Sequence, residues 1–224
     1  MKAILFGLTL LSCLTPALAV ERAELDERIQ QLTANFEAMQ QKPDRKIPAE
    51  ALARANGIVL LDRTKAGFGF AYQGGNGVVM VKNSLGHWSA PAFLSANEAS
   101  FGFQIGGEES FCVMLFSDTN SIHELTGPVG KIGGEARGTA GNDAAGVGGQ
   151  VSAPKQYGVQ VYTDRSGLYG GAFVKNGAIA PDDKANMAYY EAALTMQDIL
   201  FEGKAAATPA ATELREKITE FSKK

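Results

Sequence analysis

Between Lys65 and Lys82 glycine alternates with large apolar residues at a period near two, then gives way to the apolar run Val78-Val-Met-Val81. A period of two is the signature of a strand, and glycine inside a strand costs stability unless a bulge, a sharp bend or a close backbone approach needs it. The segment reads as a β-hairpin with a glycine-thinned first strand and its turn at Gly74-Gly75-Asn76-Gly77. A related phrase returns at Ser100 to Gly106, followed by the apolar strand Phe111–Phe116. Between the two lies Gly86 to Phe93, which holds the only tryptophan, Trp88.

The flanking sequence is helical. Leu25, Ile29, Leu32, Phe36 and Met39 recur at spacings of four, three, four and three, an amphipathic helix over Glu21 to Gln41. Its polar face is net acidic, which suits a helix docking on its own domain better than one lying in a membrane surface. Pro48, Ala49 to Asn56 and Gly57 describe a second short helix, after which Ile58 to Leu61 begins the strands. Asp118 to Thr126 reads as a short helix capped by Asp118 or Thr119. Gly127 to Gly149 holds nine glycines in twenty-three residues and reads as a loop or as glycine-rich strands at a tight corner. Strands resume at Gln156 to Tyr162, with Tyr157, Val159 and Val161 on one face, and at Gly167 to Val174, closed by a turn at Lys175-Asn176-Gly177.

Asp182 or Asp183 then caps a helix presenting Met187, Tyr190, Leu194 and Phe201 on one side. Ala205 to Pro209 reads as a linker that lets a last helix, through Leu214, Ile218 and Phe221, move. The outline is one α+β domain: a central glycine-rich antiparallel β-sheet or barrel flanked by N- and C-terminal helices.

Residues 1–19 read as a secretory signal: Lys2, an apolar stretch from Ala3 to Leu14, and a small-residue cleavage pattern ending at Ala19. The alternative is lipidation of Cys13, in Leu10-Leu-Ser-Cys13, which would anchor the chain to the envelope. The expected division is residues 1–19 as signal, 20–46 as the leading helix and 47–224 as the α+β domain. If Cys13 leaves with the signal, Cys112 is the one remaining thiol, and an exported fold must then hold together by its core. Within Phe111–Phe116 that thiol reads as buried and inert. The formal charge of −3 becomes −4 on loss of Lys2, which argues against nucleic acid as a partner.

The motifs of catalysis are missing: there is no Gly-x-Ser-x-Gly elbow, P-loop, His-x-x-x-His pair or Gly-x-Gly-x-x-Gly. His87 and His123 stand thirty-six residues apart and read as a turn residue and a short-helix residue, and with Cys112 they have no metal-ligand spacing. Neither an enzyme nor a cofactor or metal protein is expected. The candidate binding surface is aromatic: Phe68, Phe70, Trp88, Phe93, Phe101 and Phe103, with the core as the competing destination for these rings. Arg63, Lys65 and Lys82 are candidates for an adjoining basic rim.

Taken in order, several phrases resemble the SYLF domain family. They are Ala55 to Val59, Lys65 to Phe70, Gly77-Val-Val79, Trp88-Ser-Ala-Pro91, Phe101 to Gly106, Tyr162 to Leu168, Asn176 to Ile179, and Asn186 with Tyr189-Tyr190. The family occurs in bacterial secreted proteins and lipoproteins and in eukaryotic trafficking and actin-patch proteins. The resemblance implies a lipid-binding module, with lipid or a membrane surface as partner and an envelope protein as the alternative. In eukaryotic members it also implies phosphoinositide and actin binding. The acidic leading helix departs from the basic leader of those members, and actin is not an expected partner of an exported chain.

Overall fold

The computed structural model describes residues 21–118, 120–123, 150–152, 159–164 and 178–223. Within them the side chains of residues 64–73, 97–109, 120–121, 150–152 and 178 are outside the description. The signal pattern with Ala19 and Cys13, the Gly127–Gly149 segment, Tyr157, Gly167–Val174 and the turn at Asn176-Gly177 also lie outside the described residues.

The leading helix α1 (Arg22–Gln40) docks its whole apolar stripe: Leu25, Ile29, Leu32, Phe36 and Met39 are all buried. Helix α2 (Ala49–Arg54) follows, capped by Pro48. The chain then enters two strands of 25 residues each, β1 (Gly57–Val81) and β2 (Ala92–Phe116), paired antiparallel along their length from Gly57 opposite Phe116 to Val79 opposite Ala92.

No turn occurs at Gly74-Gly75-Asn76-Gly77. These residues continue β1, each with a partner in β2 from Asn97 to Leu94. The chain does fold back, but earlier. The Lys82 amide donates to the Asn56 carbonyl at 2.8 Å, and a Cβ on Gly75 or Gly77 would stand 2.7 Å from the Asp62 carbonyl oxygen or 2.2 Å from that of Leu60. The second half of β1 therefore lies against its first half. Gly69 lies midway between Asn56 and Lys82, and there the β1–β2 register shifts, between Phe68 and Phe70. The glycines serve the two purposes that justify them in a strand, a bulge and a backbone contact too close for a side chain.

The ribbon is thus doubled over, with the halves of β1 innermost and those of β2 outside. Beyond the C-terminal half of β2 come β4 (Val159–Thr163) and then β3 (Gln150–Ser152), and beyond its N-terminal half comes β5 (Ala178–Pro181). Every pairing is antiparallel, and among the described residues the sheet stays open rather than closing into a barrel.

Both faces of the sheet are covered, so its strands read as continuous apolar runs, alternate residues facing opposite ways. One face, with Ile58, Leu60, Val78, Met80, Phe93 and Val113, packs against α1, α2, α4 (Asp183–Tyr190) and α6 (Pro209–Phe221). The other, with Val59, Leu61, Val79, Leu94, Cys112 and Met114, packs against Ile122 of α3 (Asn120–His123) and Met196, Ile199 and Leu200 of α5 (Met196–Leu200). Cys112 is enclosed, and burial pushes its thiol pKa well up, as an inert core thiol requires.

The C-terminal helices depart from the sequence reading in two ways. The expected continuous helix through Phe201 is split: α4 ends at Glu191, which takes the left-handed conformation at φ 51°, and α5 restarts on a capping box in which Thr195 and Asp198 satisfy each other's backbone amides. On α4 the inward residues are Ala185, Asn186 and Tyr189, while Met187 is 53% exposed. The Ala205–Pro209 segment is anchored rather than loose. Thr208 is buried and caps α6 by accepting from the Ala211 amide at 3.2 Å.

Candidate functional site

The candidate aromatics separate into two groups. Backbone register sets Phe70 opposite Phe101 and Phe68 opposite Ile105, at the fold-back; the side chains of Phe68, Phe70, Phe101, Phe103 and Lys65 lie outside the description. Phe93 and Trp88 are in the core, Phe93 with no exposed surface and Trp88 with 6%.

Of the basic candidates, Arg63 and Lys82 do not share a rim. Arg63 is buried. Lys82 lies beside Asn56, seven residues along β1 from Arg63, or roughly 20 Å at about 3.3 Å per strand residue. Its ammonium donates to the Leu52 and Ala53 carbonyls at 3.1 and 2.7 Å and sits 4.7 Å from the centre of the Trp88 ring. It thereby closes the C-terminus of α2, where unpaired carbonyls favour a cation. Burial lowers its pKa, since the charged form is partly stripped of water.

A polar hub that the candidate set missed is built around α4. Asn186 has no exposed surface, and its side chain straddles one residue of β2: Oδ1 accepts from the Phe93 amide at 2.7 Å and Nδ2 donates to the Phe93 carbonyl at 3.2 Å. It supplies what a neighbouring strand would otherwise supply. The Tyr190 hydroxyl donates to the Pro91 carbonyl at 2.6 Å.

The Tyr189 hydroxyl reaches the other way. It donates to Asp26 Oδ1 of α1 at 2.9 Å and meets Thr208 Oγ1 at 2.5 Å, while its ring stands edge-on to Phe93 with centres 5.1 Å apart. Burial chiefly, with a contribution from the Asp26 carboxylate, pushes the Tyr189 phenol up to about 12. One α4 turn therefore fastens β2, α1 and the start of α6. These groups are neutral or committed to hydrogen bonds, and their arrangement is architectural. The sequence showed Asn186 and Tyr189-Tyr190 only as a motif; their partners lie 93 to 163 residues away or at the start of another helix and leave no local trace.

An open groove of about 660 Å³ lies between the Gly86–Trp88 loop and the outer face of α6. Trp88 lines it, facing Thr212, Arg215, Glu216, Thr219, Glu220 and Lys223 at the i, i+3 and i+4 spacing of one helix face. The loop is held rigid by Asn83, whose Oδ1 accepts from the amides of Leu85 and His87, both at 3.0 Å. Gly86 turns it at φ +80°. Leu85 projects from this loop with 77% of its surface exposed. His87 is exposed in the same turn, and His123 lies in α3 stacked on Phe201.

A family model described as Ysc84, Las17-binding protein actin regulator, matches residues 97–221, more than half of the chain. The SH3 domain-containing YSC84-like protein 1 of Rattus norvegicus is 29% identical over 183 residues, covering 81% of this chain and 54% of that protein. The Homo sapiens protein of the same name is 28% identical over 183 residues, covering 81% and 53%. The LAS seventeen-binding protein 3 of Saccharomyces cerevisiae is 29% identical over 175 residues, covering 76% and 38%. The chain thus spans about half the length, or less, of these curated relatives. No solved structure matches it.

Proposed function

The chain belongs to the Ysc84 family of SYLF domains, and from that premise we propose that it is a non-catalytic lipid-binding or membrane-associated module of the bacterial cell envelope, exported to the periplasm. The observation that carries this reading is the family match over residues 97–221, which takes in most of β2 and all of α4 and α6, and with them Asn186, Tyr189 and Tyr190 of the hub and one wall of the groove. The engagement of the hub's polar groups in holding elements together supports a binding module over a catalyst. The signal pattern of residues 1–19 supports export, with acylation of Cys13 as the anchored alternative. On this reading actin, named in the family's description, is not the partner, because an exported chain would not meet it.

A second reading has its own support. The yeast relative is named for binding another protein, so the alternative is an envelope component that binds a protein and carries no lipid. Native mass spectrometry of protein purified from its own envelope separates the two. Bound lipid is the expected result, whereas stoichiometric protein partners without lipid would favour the alternative. The intact mass of the same preparation tests export: a start at Val20 is expected, and an acylated start at Cys13 would replace the soluble form with an anchored one.

A further inference from the structure

The groove beside α6 combines features that no core or hub requirement explains. Arg215 is half-buried, and its guanidinium donates to Thr212 Oγ1 on its own helix at 3.1 Å, but among the described residues no carboxylate pairs with it. Glu216, exposed on the next residue, faces the same groove. Lys223 and Glu220 extend this alternation of sign along the helix. The groove is therefore not an anion trap; it is lined by a guanidinium and a carboxylate from successive residues of α6, across from the Gly86–Trp88 loop.

A guanidinium is suited to the paired oxygens of a phosphate, and a carboxylate to an ammonium. Beside the groove, a loop braced by two hydrogen bonds to Asn83 holds Leu85 outward, mostly uncovered among the described residues. A lone exposed leucine needs no explanation. One on a braced loop whose next residue, Gly86, lines a groove carrying both signs of charge joins the apolar and polar contacts that a membrane surface takes.

Building on the lipid reading given above, we infer that the groove between α6 and the Asn83–Trp88 loop docks a zwitterionic phospholipid surface. Arg215 takes the headgroup phosphate, Glu216 takes its ammonium, and Leu85 dips into the acyl boundary. Of the candidates read from the sequence, Trp88 lines this groove, whereas Arg63 and Lys82 do not. It requires no net positive charge, which agrees with a chain whose formal charge is −3.

The test is co-sedimentation of the host-processed protein with vesicles of phosphatidylethanolamine and phosphatidylcholine, beside vesicles of phosphatidylglycerol. Leu85→Ser, Arg215→Gln and Glu216→Gln are compared with the parent protein. Leu85 and Glu216 are exposed, so their variants should keep the parent's unfolding midpoint. The expected result is binding to the zwitterionic vesicles that falls about ten-fold or more in Leu85→Ser and in Arg215→Gln, and less in Glu216→Gln. Soluble phosphoethanolamine should compete with the vesicles.

Parent binding that survives all three substitutions would overturn the site and leave the lipid reading standing. Binding that requires phosphatidylglycerol would overturn the zwitterionic assignment. Loss in Leu85→Ser alone, without competition by phosphoethanolamine, would overturn the headgroup role of the groove. A parent protein that binds no vesicle of any composition would remove the lipid reading itself.

Discussion

At the scale of single residues, the hub on α4 sets the most specific expectations. Asn186→Ala leaves the buried Phe93 amide without an acceptor, whereas the Phe93 carbonyl keeps a second donor in the Asp182 amide at 3.0 Å. An orphaned buried donor costs about 1–3 kcal/mol, and urea unfolding should show a loss of that size. Tyr189→Phe keeps the ring in the core and removes the hydroxyl that joins Asp26 to Thr208, a loss of about 1 kcal/mol. The same phenol makes stability depend on alkaline pH. Its pKa rises from 10.0 to about 12 on folding, so the folded state favours the neutral form. The stabilisation is complete below pH 10 and is lost as pH climbs through about 12. Unfolding midpoints across that window should fall, and fall less steeply in Tyr189→Phe. The slope will not vanish, because burial also raises the pKa of Tyr162 and Tyr190.

At the scale of elements, the fold-back of β1 separates two glycines that look alike in sequence. Gly77→Ala would drive a Cβ to 2.2 Å from the Leu60 carbonyl oxygen, a backbone atom that cannot turn aside, and should cost about 1–3 kcal/mol or more. Gly86→Ala meets nothing within 4 Å and pays only for a left-handed backbone, about 1–2 kcal/mol. Thermal melts of the two variants check both the order and the sizes. For α1, Leu32→Ala should cost about 2–5 kcal/mol, as expected of a fully buried leucine and not of a helix held ready for a membrane.

Helix α1, with its stripe, was legible in the sequence because heptad-like spacing is a local signal, and so was a last helix through Leu214 and Ile218. The turn at Gly74 to Gly77 was misread because Asn-Gly between apolar runs is also a local signal, and it was outweighed by a long partner strand that pairs with every one of those residues. The break between α4 and α5 was legible in principle: Thr195 and Asp198 spell a capping box. The groove was not, since the loop at Gly86 and the helix at Arg215 meet only in three dimensions.

At the scale of the whole molecule, a chain of net charge −3 with an acidic leading helix has little long-range attraction for anionic bilayers. Lipid affinity should rest on apolar burial and short-range pairing, and vesicle binding should persist across a salt series that would abolish a purely electrostatic contact. Co-sedimentation at rising salt checks this, and a collapse of binding would show an electrostatic contact instead. The doubling of β1 bears on how such a molecule comes to exist at all. The close approach of the two halves of β1 brings residues 56–62 against residues 75–82, so it closes a loop of about a dozen residues, an encounter on the order of tens to hundreds of nanoseconds for a flexible chain. Strand β2 follows next in sequence, whereas α1 and α6 come from opposite ends of the chain. Early order therefore belongs to the middle of the sheet, and the helical face closes late. Truncations at Leu60 and Val78 should slow refolding, whereas truncation at Ile218 should chiefly hasten unfolding.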